Sequence, residues 1–95
     1  MTDKDLYIEK ARARIAQWDA EIDRMKARAD EAEADAKIEY RRQVDEMRRE
    51  REKAETRLKD LRDASDRAWD DVKSGFEKAW DDIASAFDNA RTRYQ

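Results

Sequence analysis

Ala68-Trp69-Asp70-Asp71-Val72-Lys73-Ser74-Gly75-Phe76-Glu77-Lys78 is followed directly by Ala79-Trp80-Asp81-Asp82-Ile83-Ala84-Ser85-Ala86-Phe87-Asp88-Asn89, the same eleven-residue pattern written a second time. Eleven residues make three turns at ~3.67 residues per turn, close to the α-helical value. The repeat therefore returns Trp, Val or Ile, and Phe to one helix face, and the Asp-Asp pairs to the opposite face. Such a helix is built to lie on something, either another helix or a lipid surface.

Upstream of the repeat, the apolar positions keep a helical period. Ile8, Ala11, Ile15, Trp18, Ile22, Met25, Ala29, Ala32 and Ala36 alternate spacings of three and four, which is a heptad seam over residues 8–36. The spacing then becomes four and four through Tyr40 and Val44, a stutter in supercoil phase. Met47, Arg51, Ala54, Leu58 and Leu61 continue the seam through a charged centre, residues 37–61. Arg51 stands where a core residue is expected, and its long stem can cover apolar surface while its head reaches water. From Leu61 the seam runs through Ser65 into the repeat and on to Ala90 or Arg91 and Tyr94, in an amphipathic segment of residues 62–94. Burying one large apolar side chain is worth roughly 1.5–3 kcal/mol. The adhesive energy is thus concentrated in Trp69–Phe87, with a second concentration in Ile8–Met25.

Composition agrees with long helices. The chain has 95 residues, one domain at most, with no proline and Gly75 as its single glycine. Turns draw on those residues for special backbone angles, so few turns are expected. Charged residues make up 49% and hydrophobic ones 39%, the mixture of a coiled coil or long helix. The charges alternate in sign and nearly cancel, net −3, which differs from the high net charge of disordered segments. Thr2 or Asp3 can cap a first helix. Asp63-Ala64-Ser65-Asp66 offers N-cap residues before the repeat, so a break can fall at 63–66. Asp30-Glu31-Ala32-Glu33-Ala34-Asp35 is polar enough for a short turn, although its alanines favour helix. One unbroken helix would be ~135 Å long and could not bury its own stripe. It must fold back or oligomerise, and an antiparallel partner laying Ile8–Met25 against Trp69–Phe87 is the preferred arrangement.

The residue types exclude much chemistry. Cysteine and histidine are absent, which removes disulfides, Cys/His zinc sites and His-dependent triads. Ser65, Ser74 and Ser85 have no base to activate them. The paired acids, including Asp70-Asp71 and Asp81-Asp82, sit on a helix with no cleft to push their pKa values apart. The basic run Arg48-Arg49-Glu50-Arg51-Glu52-Lys53 is interleaved with acids and reads as a solvated face, so nucleic acid is disfavoured as a partner. Tyr7, Tyr40 and Tyr94 fall at helix ends or flanks without a chemical role. Residues 66–90 carry seven acids and three bases, against the cationic polar face usual in interfacial helices, so core packing outweighs lipid binding for the repeat. No apolar run approaches the ~20 residues of a membrane span. The N-terminus lacks a signal-peptide pattern, and a cytoplasmic protein is expected.

Tyr7-Ile8-Glu9-Lys10, Trp18-Asp19-Ala20-Glu21-Ile22-Asp23, Ile38-Glu39-Tyr40, Ala68-Trp69-Asp70-Asp71-Val72-Lys73 and Ala79-Trp80-Asp81-Asp82-Ile83 together resemble the small bacterial coiled-coil proteins associated with stress responses in cyanobacteria and proteobacteria. The likeness spans most of the chain and is most specific in the Trp-Asp-Asp repeats. It implies a bacterial, cytoplasmic, stress-associated protein, and it transfers no functional residue because that group has no assigned chemistry.

The expectation is an all-α protein, a single unit over residues 1–95 built on a long amphipathic helix or coiled coil. It would act as a non-enzymatic structural or interaction protein, a homo-oligomer of two or more copies with room for a protein partner. Its self-association or partner surface would comprise Ile8, Ile15, Trp18, Ile22, Met25, Trp69, Val72, Phe76, Trp80, Ile83 and Phe87. The alternative is a binder of lipid or granule surfaces through residues 66–90. No catalytic residue, cofactor or metal ligand is expected.

Overall fold

The computed structural model describes residues 2–92. These form three helices, α1 (Asp3–Glu31), α2 (Ala34–Asp63) and α3 (Trp69–Thr92), and no strand. Lys4 reaches the carbonyl of Ala64, and Asp19 pairs with Arg51, so α1 and α2 run antiparallel. Gln43 near the start of α2 meets Arg91 at the end of α3, so these two also run antiparallel. It follows that α1 and α3 are parallel, as the pairing of Tyr7 with Trp69 and of Trp18 with Trp80 shows directly. The result is an elongated bundle of 53 × 21 × 17 Å.

Each helix end has a local cause. The Thr2 hydroxyl accepts from the Asp5 N–H at 3.1 Å, and the Asp5 carboxylate accepts from the Thr2 N–H at 3.3 Å. This reciprocal capping box fixes the start of α1 and satisfies otherwise orphaned groups. It also holds the Asp5 carboxyl below its ordinary range, chiefly through the Thr2 hydroxyl. At the second connection the Ser65 hydroxyl accepts from the Ala68 N–H at 3.2 Å, and Ala68 then accepts the first helical bond of α3 from Val72 at 2.9 Å. The first connection is only Ala32 and Glu33, both extended, at φ −77°, ψ 154° and φ −69°, ψ 163°. No side chain caps α2.

The core follows the seam. Ala11, Ile15, Trp18, Ile22, Met25 and Ala29 are buried on α1, and Val44, Met47, Ala54, Leu58 and Leu61 on α2. On α3 the buried positions are Phe76, Ile83, Phe87 and Ala90. Ile8, Tyr40, Trp69, Val72 and Trp80 are partly buried against this cluster. Ala36 is exposed, because the break at Ala32-Glu33 leaves it in the unpacked first turn of α2. Tyr94 lies outside the described residues.

Two features differ from the sequence expectation. The chain breaks near 63–66 as anticipated, but it also breaks at Ala32-Glu33, so each apolar face finds a partner inside the chain. Ile8–Met25 does meet Trp69–Phe87, but in the parallel sense. Two short connections in succession reverse the chain twice, and the first and third helices of such a bundle must point the same way.

Candidate functional site

Five of the residues singled out in the sequence, joined by Tyr7, assemble into one feature, a file of aromatic rings between α1 and α3. The order is Trp69, Tyr7, Phe76, Trp80, Trp18, Phe87. Tyr7 meets Trp69 and Phe76 edge-on, with ring centroids 6.0 and 5.7 Å apart. Phe76 stacks on Trp80 at 4.9 Å, Trp80 on Trp18 at 5.1 Å, and Trp18 on Phe87 at 4.9 Å. Edge-on and offset-stacked geometries suit the ring quadrupoles, and each such pair adds roughly 0.5–1.5 kcal/mol beyond area burial. No Cα of α1 comes within 8 Å of one on α3, so large flat side chains are what spans this gap.

Polar groups close the file at its edges. Lys4 Nζ lies 5.6 Å from the centre of the Trp69 ring and donates to the Ala64 carbonyl at 2.6 Å, tying α1 to the second connection. Lys73 lies 5.0 Å from the Tyr7 ring and Arg14 5.7 Å from Trp18. The Tyr7 hydroxyl donates to Glu77 Oε1 at 3.0 Å. Burial, and then the Glu77 carboxylate, push the Tyr7 phenol up to about 12.

The other predicted residues serve the remaining interfaces. Ile15, Ile22 and Met25 are fully committed to the core. Ile8 borders an open groove with Arg12 and Arg62. Ile83 faces Glu50, Lys53 and Arg57 of α2, and Val72 faces Arg57 and Asp60. Arg51, the anomalous seam position, makes a two-pronged bond to Asp19, Nε to Oδ1 at 2.8 Å and Nη2 to Oδ2 at 3.2 Å. That bond, against the opposing effect of burial, raises the guanidinium pKa further. Lys53 pairs with Glu50 at 3.0 Å. The basic run of α2 is therefore partly neutralised by its own neighbours.

Sequence reasoning missed Tyr7 and Gln43. Tyr7 precedes the seam residue Ile8 by one position and reads as a flank. Gln43 precedes Val44 in the same way, yet it is fully buried, with its amide nitrogen donating to the Arg91 carbonyl. Among the described residues, its Oε1 and the Arg91 Nε have no hydrogen-bond partner. Both positions flank the heptad stripe on the side that a third helix covers. A two-helix reading has no use for them, and a bundle of three buries Gln43 and partly covers Tyr7.

The surface that remains is densely charged. Asp70, Asp71, Asp81 and Asp82 are all exposed on the outer face of α3. The concavities are open grooves between helices, such as one walled by Arg49, Glu50 and Lys53 of α2 and by Ala86, Asn89 and Ala90 of α3. Among the described residues no group of three or more acidic side chains is arranged to hold a metal ion, and no helix is long and apolar enough to cross a membrane. Comparison with known proteins returns no matching family model, no matching curated protein and no matching solved structure.

Proposed function

We propose that this chain is a non-enzymatic structural or interaction protein, a cytoplasmic helical module that associates with further copies of itself. The observation that carries this reading is the destination of its large side chains. From Tyr7 to Phe87, the aromatic rings between α1 and α3 and the aliphatic side chains behind them hold helices side by side. The outer faces present charges of both signs along open grooves. This is the allocation expected of a chain whose product is a surface rather than a pocket. The likeness to bacterial stress-associated coiled-coil proteins accords with it and adds a physiological setting.

The test is sedimentation velocity across a wide protein concentration range. A dimer or larger species that grows with concentration supports self-association, and a monomer throughout overturns it. Replacing Trp69, Phe76, Trp80 and Phe87 with Ala would not be a specific probe of assembly, since these side chains also hold the single chain together.

A second reading has one specific observation in its favour. The most strongly amphipathic helix, α3, is joined to α1 by side chains alone and to α2 through a five-residue connection, Ala64–Ala68. Swinging away there would present Trp69, Phe76, Trp80 and Phe87 to a lipid or granule surface. Trp18 is already buried, at 3% exposure, so a fluorescence shift alone is a blunt readout. Co-flotation with zwitterionic and anionic vesicles, together with quenching by brominated lipid, decides it. Absence of flotation at every composition removes this reading.

A further inference from the structure

We propose that Ala32-Glu33 is a hinge that can become helical, so that two copies of this chain exchange α1 and form a swapped dimer. The inference rests on the self-association reading and supplies its geometry. The partner is a second copy, because a second copy reproduces every contact that α1 makes at home.

Three observations lead there. First, the turn is weakly specified. It contains no glycine and no positive φ, it consists of two residues with good helix propensity, and no side chain caps the helix that follows. The start of α1, with its capping box, shows what a well-specified end looks like in this chain. Second, the seam crosses the turn in phase. Ala29, the last buried residue of α1, and Tyr40, the first core-facing residue of α2, are eleven residues apart. Eleven residues are three turns, so a continuous helix from Asp3 to Asp63 would carry both apolar faces on one side. Third, the residues around the hinge on that side are Ala29, Ala32 and Ala36. Their small side chains let two such helices cross closely in antiparallel sense.

In the exchanged dimer a two-fold axis passes through the hinge. Each half contains α2 and α3 of one copy and α1 of the other. Trp18 from one copy stacks between Trp80 and Phe87 of its partner, and Asp19 pairs with the partner's Arg51. Exchange of an identical element costs little because only the hinge differs between the two states. What opposes it is charge. Asp30, Glu31, Glu33 and Asp35 are all exposed and would face their own copies across the axis, with Arg28 and Lys37 as the nearby cations. The dimer is therefore expected to gain population as salt screens this repulsion.

The backbone supplies a selective test. Glu33 already has φ −69°, Ala32 before it is extended with ψ 154°, and among the described residues the Glu33 N–H donates no hydrogen bond. Glu33→Pro thus fits the turn but not a helix interior. In sedimentation velocity at low and raised salt, wild type should show a salt-favoured dimer. Glu33→Pro should weaken that dimer by at least ~100-fold, given the usual helix-interior penalty of proline at each of the two hinges. Independently, the doubly substituted chain Asp19→Cys, Arg51→Cys, in a protein with no other cysteine, should on oxidation give covalent dimers on a non-reducing gel. A dimer that persists in Glu33→Pro, with only intrachain disulfides in the double variant, overturns the exchange and leaves self-association through another surface standing. A monomer under all conditions for both chains overturns both.

Discussion

The two interfaces of α1 are built on different principles. Against α2, the backbones approach closely and the filling is aliphatic, with Met47, Leu58 and Leu61 buried on α2 beside the small Ala54, and an Arg51–Asp19 ion pair where a core side chain would stand. Against α3, the backbones stay apart and the space is filled by stacked rings. A close interface spreads its burial over many aliphatic contacts, so no single small side chain carries it. A wide one depends on each ring that bridges it. Cohesion in this bundle is therefore unevenly shared, and the share is testable.

The sharpest way to break the comparison is Trp18→Ala. Trp18 contacts both Trp80 and Phe87, and its loss should cost about 3–5 kcal/mol, the range for emptying a buried aromatic site. For a bundle of this size that is a large part of total stability. A urea melt followed by far-ultraviolet circular dichroism should show it as a largely unfolded chain. A loss below about 1 kcal/mol would mean the rings do not carry the α1–α3 contact.

An intermediate effect belongs to alkaline pH. Tyr7 ionises near its ordinary value of 10.0 when unfolded and at about 12 when folded, so the folded state holds the proton more tightly. Its contribution is fully present below pH 10 and is lost as pH rises towards 12. Stability should decline across that window, and Tyr7→Phe should flatten the decline. An unchanged pH profile in the variant would place the Tyr7 hydroxyl outside the coupling.

Gly75→Ala sharpens the comparison from the other side. Gly75 is exposed within α3, its φ is not positive, and a Cβ built there meets nothing within 4 Å. Alanine should stabilise the protein by about 1 kcal/mol through helix propensity and a less free unfolded chain. A raised thermal midpoint with unchanged sedimentation checks it. The smallest effect is expected for Asp19→Asn, which removes the charge opposite Arg51. The pair is half-exposed, and such ion pairs are worth less than about 1 kcal/mol, less still in salt. A larger loss would show that the close interface leans on this ion pair.

Much of this fold was legible in the order of the residues. The spacing from Ile8 to Ala29, the heptads from Tyr40 to Leu61 and the repeat from Trp69 to Phe87 each named the face that is buried, because helical period alone determines which side chains share a side. The break near Ser65 was legible because its hydroxyl is a capping group. The break at Ala32-Glu33 was harder to read, since neither residue signals a turn and the seam passes through without losing phase. The parallel sense of α1 and α3 was not legible either. Periodicity specifies faces, and direction is decided only by where the chain turns. Gln43 and Tyr7 escaped for a related reason, because being covered by a third helix leaves no mark on a two-sided pattern. Of the expected interaction surface, Ile15, Trp18, Ile22, Met25, Phe76, Ile83 and Phe87 are internal core and Ile8, Trp69, Val72 and Trp80 are partly buried against it, which moves the question of a partner to the hinge and the charged exterior.

The file of rings also gives the protein an optical voice of its own. All three tryptophans stand in it, and two of them, Trp18 and Trp80, are stacked face to face at 5.1 Å from opposite helices. Indole chromophores held that closely and rigidly couple their transitions, and the coupling vanishes once the helices part even if each stays helical. The near-ultraviolet dichroism of this chain therefore follows the docking of α1 onto α3, while the peptide bands follow helix formation. The two events can be timed separately in one unlabelled sample.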